Sequence, residues 1–137
     1  MKKIILICAV LLTSSIVLAD DTMTCADGAG TVITGKNGTE YCMSKNKMNW
    51  WTALGWCQKI GKKLISYPEE CKCPTDICGE TMSGCPNLTG VYSAHMCVWT
   101  IHPNFSDQAK TVCLNNGTIG GAYRNTTGIN HGIALCK

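Results

Sequence analysis

Cysteines carry the clearest chemical potential in this chain, because 11 of its 137 residues are cysteine. Four lie close together, at Cys71, Cys73, Cys78 and Cys85, and four thiolates at close spacing can hold zinc. The C-x₂-C spacing of zinc knuckles is missing here, so the cluster favours disulfides over a metal. A loop of this length without periodic structure has little core, and crosslinks would hold it. We predict the pairs Cys71–Cys85 and Cys73–Cys78, and no metal or cofactor.

Histidines and carboxylates give little support for catalysis. His95, His102 and His131 could each act as a base, but no nucleophile motif such as G-x-S-x-G accompanies them. The acidic side chains show no spacing that singles out a pair for glycoside hydrolysis; they include Glu40, Glu69, Glu70, Asp76, Glu80 and Asp107. We therefore expect a protein without enzyme activity.

Residues 1–19 have the pattern of a cleaved secretory signal peptide. Lys2 and Lys3 supply the positive start, an apolar run follows, and Ala19 ends a small-residue cleavage pattern. The apolar run is about half the roughly 20 residues that a membrane-spanning helix needs. Cleavage removes Cys8 and leaves an even number of cysteines, which favours disulfides in an oxidising compartment. We predict one secreted domain, residues 20–137, in the periplasm, at the cell surface or outside the cell, with no membrane span.

Charge excludes a nucleic-acid partner. The formal net charge is +3 and only 15% of the residues are charged. Two of the positive charges, Lys2 and Lys3, belong to the segment that we expect to be removed, and the remainder shows no basic stripe.

One amphipathic helix among short β-prone runs predicts an α+β domain. Asn49 suits the N-cap of this helix, and Trp50, Ala53, Cys57 and Ile60 recur at the spacing of one buried face. Ser66-x-x-Glu69 has capping-box spacing, so a second short helix is expected toward Cys71. Asn-Gly pairs predict two hairpin turns, and strand candidates lie at residues 31–34, 39–43, 64–66, 96–101, 109–114 and 131–136.

This element pattern suggests two local disulfides, and it leaves open the role of three tryptophans in the helix. Cys25 and Cys42 flank the first hairpin, and Cys97 and Cys113 lie in two strands expected to be antiparallel neighbours, so each pair suits a disulfide. Trp50, Trp51 and Trp56 could form an aromatic platform, although helical spacing favours core packing. Trp51 lies about 100° around the helix from Trp50, either exposed or packed under the long loop.

The order of these segments resembles the C-type lectin-like fold. A helix that carries a cysteine, followed by a glycine and a leucine entering a strand, is found here at residues 50–64. Val98-Trp99-Thr100-Ile101 is similar to the central Trp-containing strand of that family, and Ile133-Ala134-Leu135-Cys136 is similar to its last strand. The resemblance implies a Cys57–Cys136 disulfide, one or two short helices, short antiparallel strands and a disulfide-stapled loop.

Within that family, the chain is most similar to bacterial exported domains, including the variable proteins of diversity-generating retroelements. Their tails are rich in Asn, Ser and Tyr, which residues 112–118 and 123–127 resemble. The family's calcium and sugar motif is missing: its nearest match is His102-Pro103-Asn104, and Trp-Asn-Asp is absent. Asp107 is the one carboxylate side chain between Trp99 and Lys137, and calcium prefers six to eight oxygen ligands. We therefore expect calcium-independent folding and binding.

The resemblance implies a non-catalytic module that binds a protein or a glycan. We predict that its ligand face is formed by Tyr123, Arg124, Asn125, Asn130 and His131, exposed together. A structural or inhibitor-like secreted protein is the main alternative, and a small secreted hydrolase is the third. A flat Tyr/Asn/Arg face favours binding, a featureless face favours the structural alternative, and a polar pocket with a His beside a hydroxyl or carboxylate favours the hydrolase.

Overall fold

The computed structural model of the chain describes Cys25, Gly28 and residues 30–72, 84–127 and 131–137. The predicted signal peptide, Cys73, Cys78 and Asn130 lie outside the described residues. Within these ranges no helix combines the length and apolar character needed to cross a membrane.

Six strands and two helices make up the described part of the chain, in agreement with the predicted α+β class. They are β1 (Gly30–Thr34), β2 (Glu40–Ser44), α1 (Trp50–Lys59), α2 (Tyr67–Cys71), β3 (Cys97–Phe105), β4 (Gln108–Cys113), β5 (Ile119–Tyr123) and β6 (His131–Cys136).

Helix α1 begins and buries its apolar face as its sequence predicts. The side chain of Asn49 accepts a hydrogen bond from the backbone N–H of Thr52 at 2.9 Å, which satisfies one of the free donors of the first turn. Trp50, Ala53 and Cys57 are buried. Gly61 follows the helix with φ of +71°, a left-handed conformation that glycine adopts at no steric cost.

Helix α2 forms where it was predicted, but the predicted cap does not. Ser66 is its N-cap residue, and its side chain makes no capping hydrogen bond. The Ser66 hydroxyl oxygen instead lies 2.9 Å from Nε2 of His102. The predicted capping box is therefore wrong, because the Ser66 hydroxyl pairs with His102 and not with the first turn of α2.

The strands form one sheet in the order β1-β2-β6-β3-β4-β5. All neighbouring strands are antiparallel except β3 and β6, which are parallel. The strand that comes last in the chain therefore lies between β2 and β3 and joins the N-terminal hairpin to the β3–β5 meander. The register of β3 against β4 shifts between Trp99 and Pro103, so β3 is irregular in its middle.

The central part of the sheet carries a buried cluster on each face, and alternate residues of a strand contribute to opposite faces. On one face Trp99 and Ala134 pack with Trp50 and Ala53 of α1. The other face holds a second cluster, whose members include Tyr41, Ile65, Leu88, Val98, Val112 and Leu135. The two layers fix the backbone from which the surface loops project.

Four disulfides connect these elements in the described part of the chain; Cys57–Cys136 is the pair that the resemblance implies, and the other three are pairs expected from the positions of the cysteines. Cys57–Cys136 joins α1 to β6, Cys25–Cys42 closes the N-terminal segment onto β2, and Cys97–Cys113 crosses from β3 to β4. Cys71–Cys85 connects the end of α2 to the segment before β3.

Candidate functional site

A row of three side chains crosses the end of the sheet at the β3–β4 turn. Phe105 is in register with Gln108, and Gln108 is in register with Tyr123. Directly opposed residues on neighbouring strands share a face, so these side chains lie side by side. The strand spacing separates Phe105 from Tyr123 by about 10 Å. Phe105 is 66% exposed and Tyr123 is 56% exposed, so two aromatic rings flank one amide at the surface.

Arg124 connects this row to the start of α1. Its Nε donates to the carbonyl of Gln108 at 3.0 Å, and its Nη2 donates to the carbonyl of Phe105 at 3.2 Å. Its guanidinium carbon lies 4.8 Å from the ring centroid of Trp50 and 5.8 Å from that of Trp51, within the range of cation–π attraction. Its backbone carbonyl accepts from the N–H of Trp50 at 3.0 Å. Arg124 thus positions the turn against the helix.

Trp51 supplies a third exposed ring next to Arg124. Its indole is 54% exposed, and its Nε1 donates to Oδ1 of Asn125 at 3.2 Å. The neighbouring Trp50 is buried, donates from Nε1 to the carbonyl of Thr100, and meets the Trp51 ring edge-on at 4.7 Å. Trp51 is therefore held on both sides, although its outer face is open.

We call this surface the aromatic edge; it consists of Trp51, Phe105, Gln108, Tyr123, Arg124 and Asn125. Five large apolar side chains of the described residues are exposed, and three of them, all aromatic, belong to the edge. Its charge comes from the Arg124 guanidinium. The amide oxygen of Gln108 accepts from Nδ2 of Asn104 at 3.0 Å and that of Asn125 accepts from Trp51, so each amide keeps its N–H donors for a ligand.

The structure brings together three of the five predicted ligand-binding residues. Tyr123 and Asn125 are exposed, while Arg124 is half-buried and held by its contacts. Asn130 lies outside the described residues, as does the side chain of His131. The backbone of His131 is in register with Cys97, at the start of β3, whereas Tyr123 lies level with Phe105, at its end. The edge is therefore not formed by the tail alone.

Trp51 and Phe105 are edge residues that the sequence analysis did not assign to the site. The helical position of Trp51, about 100° from the buried Trp50, left exposure open, and this offset was the available signal. Nothing in the sequence marked Phe105 as a site residue, because it follows His102-Pro103-Asn104, where no strand was predicted.

A separate polar network lies in the core on the α2 side. Tyr41 donates its hydroxyl to Oε2 of Glu70, which is 2% exposed, and Lys137 Nζ lies 2.9 Å from Oε1 of the same carboxylate. Nδ2 of Asn87 donates to the Tyr41 oxygen at 2.8 Å. Burial, and then the hydrogen bond to Glu70, raise the pKa of Tyr41, and the bond to Glu70 raises the pKa of Lys137. The network connects β2, α2 and the end of β6.

One group of three possible metal ligands occurs among the described residues: His95, Cys97 and Cys113. The two cysteines form a disulfide with each other, so neither offers a thiolate. Nδ1 of His95 lies 3.2 Å from Nδ2 of Asn115. In its oxidised form this group does not suit a metal.

The fold and the edge define a small, disulfide-stapled α+β domain with a fixed aromatic surface at one end of its sheet. Comparison of the chain with family models and with curated proteins gives no match. The function therefore has to be inferred from the geometry of the surface.

Proposed function

We propose that this domain is an exported, calcium-independent binding module and that the aromatic edge is its ligand face. The observation that carries the proposal is the exposure of Trp51, Phe105 and Tyr123, each more than half accessible, around a turn held by Arg124. Trp51, which is held by Trp50 and Asn125 before binding, loses little conformational freedom when a ligand docks. A face of this kind fits non-covalent recognition.

The composition of the edge favours a protein ligand. Trp, Tyr and Arg are the residue types enriched among binding hot spots, and all three occur here. Gln108 and Asn125 add amide hydrogen bonds of the kind found beside aromatic anchors in evolved binding surfaces. A glycan is the alternative ligand, because amides also form hydrogen bonds with hydroxyl groups. The binding test described below distinguishes a protein ligand from a glycan.

A C-type lectin-like fold is the architecture that we propose for the module. The Cys57–Cys136 disulfide between the first helix and the last strand supports it, as does the buried Trp99 in a central strand. Residues 63–65 also pair with the end of β6, where the resemblance implies a leucine entering a strand. Because the calcium and sugar motif of that family is absent, we assign recognition to the aromatic edge.

The structural or inhibitor-like alternative requires a face without special features. Singly scattered apolar side chains are normal on protein surfaces, but a patch of them marks an interaction site. Trp51, Phe105 and Tyr123 are exposed on segments that the contacts of Arg124 join to each other, and this concentration of exposed rings favours binding over a purely structural role.

The test compares edge variants for binding to an array of defined glycans and to a panel of purified cell-surface proteins. Trp51→Ala, Phe105→Ala and Tyr123→Ala should each weaken binding about fivefold or more, which corresponds to about 1 kcal/mol. Their melting temperatures should stay close to that of the unmodified protein, because surface substitutions usually change stability by less than about 0.5 kcal/mol.

Val32→Ala is the matched control, since Val32 is an exposed apolar side chain on β1, the strand at the opposite margin of the sheet from β5. It should leave binding unchanged. A ligand whose affinity is the same for all three edge variants as for the control would place the binding face elsewhere.

A further inference from the structure

A groove lies at the C-terminal end of α1, away from the aromatic edge at its N-terminal end. It consists of two adjoining cavities of about 430 Å³ and 610 Å³ that share Lys63, Leu64 and Ile101 in their walls. Leu54 and Gln58 line the larger cavity, which is mainly apolar. The smaller cavity has polar walls, including Ser66, His102, Glu69, Glu70 and Lys137. Both volumes lie in the range of small-molecule sites.

Ser66 and His102 form a hydroxyl–imidazole pair in the smaller cavity. Ser66 Oγ lies 2.9 Å from His102 Nε2, within the distance at which a histidine can take a proton from a hydroxyl. The Ser66 side chain is not used to cap α2, so no capping bond competes for the hydroxyl oxygen. A structural serine at this position would be expected to cap the helix.

The imidazole is held by its surroundings. The ring of Tyr67 meets it edge-on, with centroids 4.9 Å apart. The backbone N–H of His102 donates to Oγ1 of Thr100 at 3.3 Å. His102 lies in the irregular part of β3, and such irregularities re-aim side chains next to active sites. The position of Nε2 relative to Ser66 is thus a product of the fold.

We infer that Ser66 is a nucleophile, that His102 is its general base, and that the groove binds a carboxylic ester with an apolar acyl chain. The Ser66 oxygen forms a bond to the ester carbonyl carbon while its proton passes to His102 Nε2. The C–O bond to the alcohol then breaks, and His102 returns the proton to the leaving oxygen. Water then gives a proton to His102 Nε2 as its oxygen bonds to the acyl carbon, the bond from that carbon to Ser66 Oγ breaks, and His102 returns the proton to Oγ as the carboxylic acid leaves.

The walls of the groove suit both parts of such a substrate. Leu54, Leu64 and Ile101 offer an apolar surface for the acyl chain, and Ile101 is 42% exposed, so part of its side chain is accessible to a substrate. Lys63 also lines the polar cavity, where its positive charge can stabilise the developing oxyanion, whereas the ammonium of Lys137 is already paired with Glu70. This activity would use none of the edge residues and does not depend on the proposed binding function.

The first test is labelling of the full chain with an alkyl fluorophosphonate, a probe that forms an Oγ–P bond with an activated serine as fluoride leaves. Peptide mapping should find the adduct on Ser66. Ser66→Ala should abolish labelling, and His102→Ala should slow it by about 100-fold or more, the usual contribution of a general base. Imidazole added to His102→Ala should restore part of the rate, which a purely structural histidine would not allow.

Ser93→Ala is the matched control, because Ser93 is exposed and lies outside the groove. It should be labelled like the unmodified protein. His102→Gln is a second variant for the case in which His102→Ala does not fold, since glutamine can keep a hydrogen bond to Ser66 but cannot act as a base. Circular dichroism establishes that each variant is folded.

The second test measures hydrolysis of p-nitrophenyl esters of increasing acyl length. The rate at fixed concentration should rise from acetate to octanoate, and Ile101→Asp should remove that preference for the longer acyl chains. A folded protein that fluorophosphonate does not label, and whose ester hydrolysis equals that of Ser66→Ala, would overturn the inference. Labelling of Ser66 at the same rate in folded His102→Gln would do so as well.

Discussion

The guanidinium carbon of Arg124 lies 4.8 Å above the ring of Trp50, and the same side chain donates to two carbonyls of the β3–β4 turn. One residue thus joins the first turn of α1 to the tip of a hairpin more than 50 positions away in the sequence. Arg124, which was predicted to belong to the ligand face, thus also holds the β3–β4 turn against the helix.

Replacing Arg124 with alanine should therefore lower the free energy of unfolding. The loss of two hydrogen bonds and a cation–π contact should cost about 1–3 kcal/mol, measured by urea unfolding. Arg124→Lys keeps the charge but lacks the planar guanidinium. Its free energy of unfolding should lie between those of Arg124→Ala and the unmodified protein. Equal stability of Arg124→Ala and the unmodified protein would show that these contacts do not hold the turn.

Replacing Tyr41 with phenylalanine should destabilise the core although the side chain keeps its shape. The hydroxyl donates to buried Glu70 and accepts from Asn87, so its loss leaves both groups short of a partner. Such a loss costs about 1–3 kcal/mol. Tyr123→Phe is the matched control, because Tyr123 is exposed. It should unfold at the same urea concentration as the unmodified protein, within about 0.5 kcal/mol.

Alkaline pH should destabilise the protein through the same tyrosine. Burial, and then the hydrogen bond to Glu70, raise the pKa of Tyr41 above its ordinary value of 10.0. Above pH 10 the unfolded chain therefore loses this proton while the folded protein keeps it, so the free energy of unfolding falls as the pH rises. Below that pH both states hold the proton and the contribution is fully present.

Urea unfolding at about pH 9 and about pH 11 measures this dependence. Tyr41→Phe should lose less stability over that interval than the unmodified protein does, since it lacks the group. Parallel losses in the two proteins would mean that Tyr41 is not the residue responsible.

Removal of different disulfides should have unequal effects. Cys57–Cys136 joins residues 79 positions apart, whereas Cys97–Cys113 spans 16 positions between strands that are already paired. In the chain-entropy model the longer loop contributes about 1.4 kcal/mol more. The double variant Cys57→Ala/Cys136→Ala should accordingly melt well below Cys97→Ala/Cys113→Ala, as differential scanning calorimetry can measure. The reverse order would show that strain or packing outweighs loop closure.

Much of the local structure was predictable, because local sequence rules decide it. Asn49 caps α1, Gly61 follows its end, and the first Asn-Gly pair lies between β1 and β2. The length of β3 was not predictable: the sequence from His102 to Asn104 contains a proline and polar residues, yet the strand continues to Phe105. Pairing with β4 decides that length, and such pairing is a long-range interaction.

The candidate site was predictable only in part for the same reason. Tyr123 and Asn125 stood out by their residue types, and the structure places both at the surface. Phe105 joins them through strand register, which no local pattern reveals. His131 was grouped with them by closeness in sequence, whereas the sheet takes its backbone to the start of β3.

The middle position of β6 has a consequence for how the chain reaches its fold during synthesis. Domains usually fold as units while the polypeptide emerges, N-terminal part first. Here the hairpin β1–β2 and the meander β3–β5 have no strand between them until residue 136 has left the ribosome. The three disulfides of shorter span can close before that moment, but Cys57 must wait for Cys136. The two halves of the sheet therefore remain separate until β6 has been synthesised, and they join together with the closure of Cys57–Cys136.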